Sequence, residues 1–181
     1  HSALVVHVNL SVLVWFLCVA MMFWSLLCSS TNHMFLNIPG VEQAALIAVG
    51  MGAGVMALSL FDTGAEALMS NYIPVIHNGM FYLSLGLLLC GVMLMLLKLF
   101  LSFPRRMRGV TLDSALHFAI SGSAMITLIA IIAFLWSYHL MPREITGSQY
   151  YDMLFWAGGH VLQFTHTQVQ MVAWVMMVLV L

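Results

Sequence analysis

The chain has 181 residues, 63% of them hydrophobic and only 6% charged, with a formal net charge of −1. Soluble domains carry about 25% charged residues, so a water-soluble globular fold is excluded and an all-α transmembrane helix bundle is expected. The near-neutral charge argues against nucleic acid as a partner. The 3 cysteines lie in apolar runs without CxxC spacing and read as small buried hydrophobes, and the 16 scattered methionines read as core filler.

Five apolar runs reach the length a membrane helix needs: residues 3–28, 41–60, 74–101, 112–137 and 150–181. That need is about 20 residues. The runs form one domain, with no internal repeat. In the second, Gly50 and Gly54 make a small-xxx-small pair that predicts close helix approach. Pro74 is expected to open the third, where its missing N–H costs nothing. The connections are short and polar. Lys98, Arg105, Arg106 and Arg108 are 4 of the 5 Lys/Arg residues and fall at one connection. Such an excess marks the cytoplasmic side. His1 is then expected on the outer, periplasmic side, from which the fifth run also enters. Both ends are apolar, so the chain reads as a piece of a longer membrane protein.

Polar side chains inside apolar runs mark candidate sites. In the first run His7 and Ser11 share a helical face, while Asn9 points the other way toward a neighbour. In the last run His160, Gln163, Thr167, Gln170 and Trp174 form one stripe, which should face protein or a cavity rather than lipid. His160 should lie roughly 10 Å in from the outer side, at about 1.5 Å per residue, in the same half of the membrane as His7. Neutral imidazoles ligate haem iron, copper and non-haem iron. Gly158 and Gly159 leave room beside His160 for a helix or a large flat cofactor. His166 lies off the stripe and is expected to pair with Gln163 or a neighbouring helix. His33, His77 and His139 read as interfacial, His117 as a packing residue, and Asp62, Glu66 and Asp152 as solvated outer-face charges.

His7-Val8-Asn9-Leu10 and the apolar run after it resemble the second transmembrane helix of the haem–copper oxidase catalytic subunit. The C-type oxidase and bacterial nitric oxide reductase branches are the nearest in pattern. The run around His160 resembles the sixth helix of that family, and the separation 160 − 7 = 153 is similar. The resemblance covers the whole chain as helices two to six of a larger, roughly twelve-helix bundle. It implies that His7 is an axial ligand of a low-spin haem. It implies that His160 ligates copper, or non-haem iron, facing a high-spin haem, with b-type haems. It further implies a bacterial inner membrane, the remaining helices and other respiratory subunits as partners, and cytochrome c or quinol as electron donor. The reaction would be reduction of oxygen to water or, alternatively, of nitric oxide.

Gln163, Thr167 and Gln170 would be polar groups along a proton path. Phe164 stands four residues after His160, where many oxidases carry tyrosine and nitric oxide reductases glutamate, so the substrate stays open. The family's later metal ligands have no counterpart in this chain. Two other readings remain. One is a membrane haem protein that only transfers electrons. The other is a transporter or scaffold bundle that uses His160, Gln163 and Thr167 for substrate or interhelix hydrogen bonds.

Overall fold

In the computed structural model, residues 1–30, 39–62, 64–102 and 112–180 are described. The expected Arg105–Arg108 cytoplasmic loop, and His33, lie outside these residues. Helix α1 (Ser2–Val8) runs through a π-helical turn (Asn9–Val14) into α2 (Trp15–Ser30). After Gly40 come α3 (Val41–Leu58) and a 3-10 turn (Ser59–Phe61). A short hairpin of β1 (Ala67–Leu68) and β2 (Val75–Ile76) precedes α4 (Gly79–Leu101), and α5 (Leu112–Leu140) and α6 (Gly147–Val180) complete the order.

The protein is thus a mostly helical bundle with helices fit to cross a membrane. The segments Ser2–Ser29, Val41–Phe61, Gly79–Leu101 and Ser114–Leu140 are both long and apolar enough. Helix α6 has 34 residues, but it is the most polar of the long helices. Its interior carries His160, Gln163, His166, Gln168 and Gln170.

The third apolar run starts later than expected. Pro74 does not open a helix; it sits just before β2, and α4 begins at Gly79. The reason is local. Asn78 adopts an extended conformation and its side chain accepts from the Phe81 N–H at 2.7 Å, an N-cap that Pro74 cannot supply. Residues 67 and 76, and 68 and 75, pair in antiparallel register, so residues 69–74 form the tip of a loop folded back onto the bundle.

Helix α3 packs along α4 and α5 along α6, with α2 touching α4, α5 and α6. The expected close approach at Gly50 and Gly54 is not where the helices meet, since both glycines face open space. Gly52 lies against the Ser84 carbonyl and Leu88, and Gly91 against Val49 and the Ala45 carbonyl. The α3–α4 pair is also joined by Lys98 and Glu42, whose charged groups lie 2.9 Å apart. Trp24 of α2 donates to Ser123 Oγ of α5 at 2.9 Å, and Thr127 of α5 meets Thr165 of α6 at 2.9 Å. In a bilayer, where the hydrophobic effect does not drive helices together, such polar contacts and close backbone approaches hold the bundle.

Candidate functional site: a histidine held by a returning loop

The buried face of α6 carries Gly158, Gly159, Leu162, Thr165, Val169 and Val172. The polar stripe points away from this face. His160, Gln163, Thr167, Gln170 and Trp174 are all exposed among the described residues. Thr167 spends its hydroxyl on its own helix, donating to the Gln163 carbonyl at 3.1 Å. A stripe of this polarity facing lipid would be costly.

The outer part of the stripe is not bare. Tyr72, from the tip of the returning loop, lies over Gly159, where an added Cβ would run into the Tyr72 ring. A Cβ on Gly158 would likewise meet Phe134. The space expected for a helix or flat cofactor beside these glycines is therefore filled by two aromatic rings of this chain. Tyr72 and Trp156 flank the His160 imidazole, with ring centroids 4.8 Å and 4.6 Å from it.

The Trp156 carbonyl is 2.8 Å from His160 Nδ1. A carbonyl only accepts, so this contact assigns the proton to Nδ1 and leaves the lone pair on Nε2. The Tyr72 hydroxyl lies 2.7 Å from Nε2 and 2.8 Å from Nδ1. The hydroxyl is thus nearly equidistant from the two ring nitrogens and singles out neither.

The loop is tied on both sides. The Asn71 N–H donates to Asp152 Oδ1 at 2.8 Å, so Asp152, expected as a solvated charge, anchors the loop to α6. On the other side Asn9 Nδ2 donates to the Pro74 carbonyl at 2.7 Å and to the Val5 carbonyl at 2.9 Å. Asn9 is buried, facing a neighbouring segment as its position opposite His7 and Ser11 predicts. Its Oδ1 has no hydrogen-bond partner among the described residues. His7 itself is exposed, and its carbonyl accepts from Ser11 Oγ at 2.7 Å. The π-helical turn begins two residues after His7; such turns frequently accompany functional sites. One loop thus bridges the helix of His7 and the helix of His160, at the same end of the bundle.

A cleft of about 100 Å³ opens beside this contact, with Tyr72, Gly159, Gln163 and His166 in its wall. His166 does not pair with Gln163. Its ring stacks on Phe16 of α2, centroids 4.7 Å apart, and its buried Nε2 finds no partner among the described residues. Among the described residues no three His, Cys, Asp or Glu side chains gather as a metal centre would require. Tyr72, Asn71 and Trp156 were not candidates from sequence. Gly158-Gly159, small residues directly before the histidine, was the available signal for a ring packed there.

No known family profile matches the chain, and no solved structure matches it. An uncharacterized protein of Rickettsia prowazekii is 27% identical over 205 residues, covering 96% of this chain and 38% of that protein. An uncharacterized protein of Aquifex aeolicus is 25% identical over 177 residues, covering 98% of this chain and 43% of that protein. The chain therefore spans about two-fifths of the length of the curated relatives it matches. The fold and site define a class, a membrane helix bundle with a loop-held histidine, and the relatives carry no assigned activity.

Proposed function

We propose that the chain is the His7- and His160-bearing part of a haem–copper oxidase-like catalytic subunit in a bacterial inner membrane. In this reading His7 would hold the iron of a haem and His160 would hold copper or non-haem iron. The observation that carries it is the His160 imidazole. Its Nδ1 is tethered to its own helix, its Nε2 holds a lone pair, and it heads a polar stripe that the described helices leave uncovered.

The donor chemistry of the two imidazoles suits such groups, while the rings of Phe134 and Tyr72 occupy the space beside Gly158 and Gly159. Ligating histidines commonly donate one ring N–H to a carboxylate, carbonyl or water, and the contact of His160 Nδ1 with the Trp156 carbonyl supports that role. The Tyr72 hydroxyl must swing from Nε2 for that nitrogen to ligate. His7 is exposed. When bound, the haems and the metal would supply the electron-transfer and oxygen- or nitric oxide-reducing chemistry. The chain's own residues hold and orient the imidazoles. In this reading Gln163, beside the cleft, and Thr167 and Gln170 farther along the stripe would bind water along a proton path on α6. Further ligands would come from the rest of the longer protein, as would the surface that receives electrons from cytochrome c or a quinol.

The test is metal analysis of the full-length protein with His7→Ala and His160→Ala beside it. The proposal expects copper or non-haem iron lost in His160→Ala and a haem lost in His7→Ala. Metal and haem contents unchanged in both variants would overturn it.

A further inference from the structure

All 5 tyrosines of the chain gather at one end of the bundle. Tyr72 stands on the returning loop, Tyr82 in the first turn of α4, Tyr138 in the last turn of α5, and Tyr150 and Tyr151 near the start of α6. The hydroxyls of Tyr82 and Tyr151 meet at 2.6 Å and tie α4 to α6 there. Tyrosine concentrates where the apolar core of a bilayer meets its headgroups, because its ring is apolar and its hydroxyl stays wet. The tyrosines therefore set this end of the bundle at headgroup depth. A cavity of about 420 Å³ opens at that level, between the hairpin and the start of α6.

The hairpin supplies one wall. The His77 N–H donates to the Glu66 carbonyl at 2.8 Å, extending the pairing of β1 with β2 by one residue on each side. Glu66 and His77 thus stand opposite each other with their side chains on one face, and both line the cavity. Tyr150 and Tyr151 supply a second wall, and Thr146 and Gly147 lie where α6 begins. Two other carboxylates at this end are engaged, Asp62 by Asn78 and Asp152 by Asn71. Glu66 is exposed and belongs to no ion pair among the described residues. A carboxylate beside aromatic rings is the chemistry that takes an ammonium group, by charge and by cation–π attraction. We infer that this cavity seats the headgroup of a zwitterionic phospholipid of the phosphatidylethanolamine class, with its ammonium between Glu66 and the rings of Tyr150 and Tyr151. The first N–H groups of α6 have no partner within the helix and suit the phosphate of the same headgroup. Met80 and Met153, three residues on from His77 and Tyr150, are exposed apolar side chains that lipid tails would cover and a soluble amine would not. Asp62, Glu66, Glu144 and Asp152 against Arg143 make this end acidic among the described residues, which disfavours a purely anionic headgroup.

The experiment is native mass spectrometry of the full-length protein released from nanodiscs that hold phosphatidylethanolamine and phosphatidylglycerol in equal amounts. Both lipids carry the phosphate and the tails, so the ammonium separates them. The wild type should retain phosphatidylethanolamine in preference. Glu66→Gln, an exposed and nearly isosteric change, should lower that preference about fivefold. Tyr150→Ala should lower it about threefold through the lost ring. Glu144→Gln removes a carboxylate that does not line the cavity and should leave it unchanged. Equal retention of the two lipids by the wild type would overturn the inference, as would a preference unaltered in Glu66→Gln. An equimolar amount of glycerophosphoethanolamine, the same headgroup without tails, should leave the lipid in place. Displacement by it would mean that the cavity takes a soluble ammonium compound, and the lipid assignment would fall.

Discussion

Asn9 illustrates how one side chain can organise a membrane bundle. Its amide is 1% exposed and donates twice, to the Val5 carbonyl of its own helix and to the Pro74 carbonyl of the loop. Ser11, on the opposite face, donates to its own helix and stays exposed. Removing a buried donor strands its acceptors, at a cost of about 1–3 kcal/mol. Asn9→Ala should therefore lower stability by about 2 kcal/mol, and Ser11→Ala by less than about 0.5 kcal/mol. Reversible unfolding in detergent micelles measures both, and equal losses would contradict the special place given to the Asn9–Pro74 bond. The sequence shows that Asn9 must find a partner across the helix, because a buried amide needs one. It does not show that the partner is a loop carbonyl 65 residues on, since nothing local to Pro74 marks it as an acceptor.

At the scale of elements, the α3–α4 pair rests on two glycines and one ion pair. A Cβ on Gly91 would collide with Val49 and the Ala45 carbonyl, whereas one on Gly86 would enter open space. Overpacking of this kind costs about 1–3 kcal/mol. Gly91→Ala should lower the unfolding midpoint, and Gly86→Ala should leave it unchanged or raise it slightly. The reverse order would mean that the two helices meet along another face.

Lys98 is the more buried member of the ion pair, with 11% side-chain exposure against 32% for Glu42. Losing one member of a buried pair costs about 3–5 kcal/mol; with Glu42 a third exposed, about 1–3 kcal/mol is expected for Lys98→Met. The double change Lys98→Met with Glu42→Leu should recover most of that loss. Double-mutant analysis of the same unfolding curves checks it, and a strictly additive double would rule out direct coupling.

The helices themselves are legible in the sequence, because only helical backbone satisfies its own hydrogen bonds across a run of about 20 apolar residues. The hairpin is not. Strands of 2 residues give no alternating pattern, and the apolar residues Ile73, Val75 and Ile76 join smoothly onto the run that becomes α4. The small-xxx-small spacing at Gly50 and Gly54 misdirects for a similar reason. Spacing names a face, and only the neighbouring helix decides which of several small faces is used.

For the whole molecule, the feature that matters is an uncovered polar edge on a bundle otherwise suited to lipid. His160, Gln163, Thr167 and Gln170 face outward from the described helices, and His7 is exposed at the same end. The chain spans about two-fifths of its matched relatives, so there is protein in those relatives to cover such an edge. The candidate site was half legible. His7 and His160 stand out because imidazoles are expensive in lipid, and the His160 stripe follows from helical spacing. Tyr72 was invisible because its contact depends on how a loop folds back.

The role proposed for His7 and His160 is to hold redox cofactors. The most direct measurement is a reduced-minus-oxidised optical spectrum of the purified full-length protein, with His7→Ala alongside. The wild type should show the bands of two haems, with the low-spin component lost in His7→Ala. A wild-type spectrum without haem bands would contradict it.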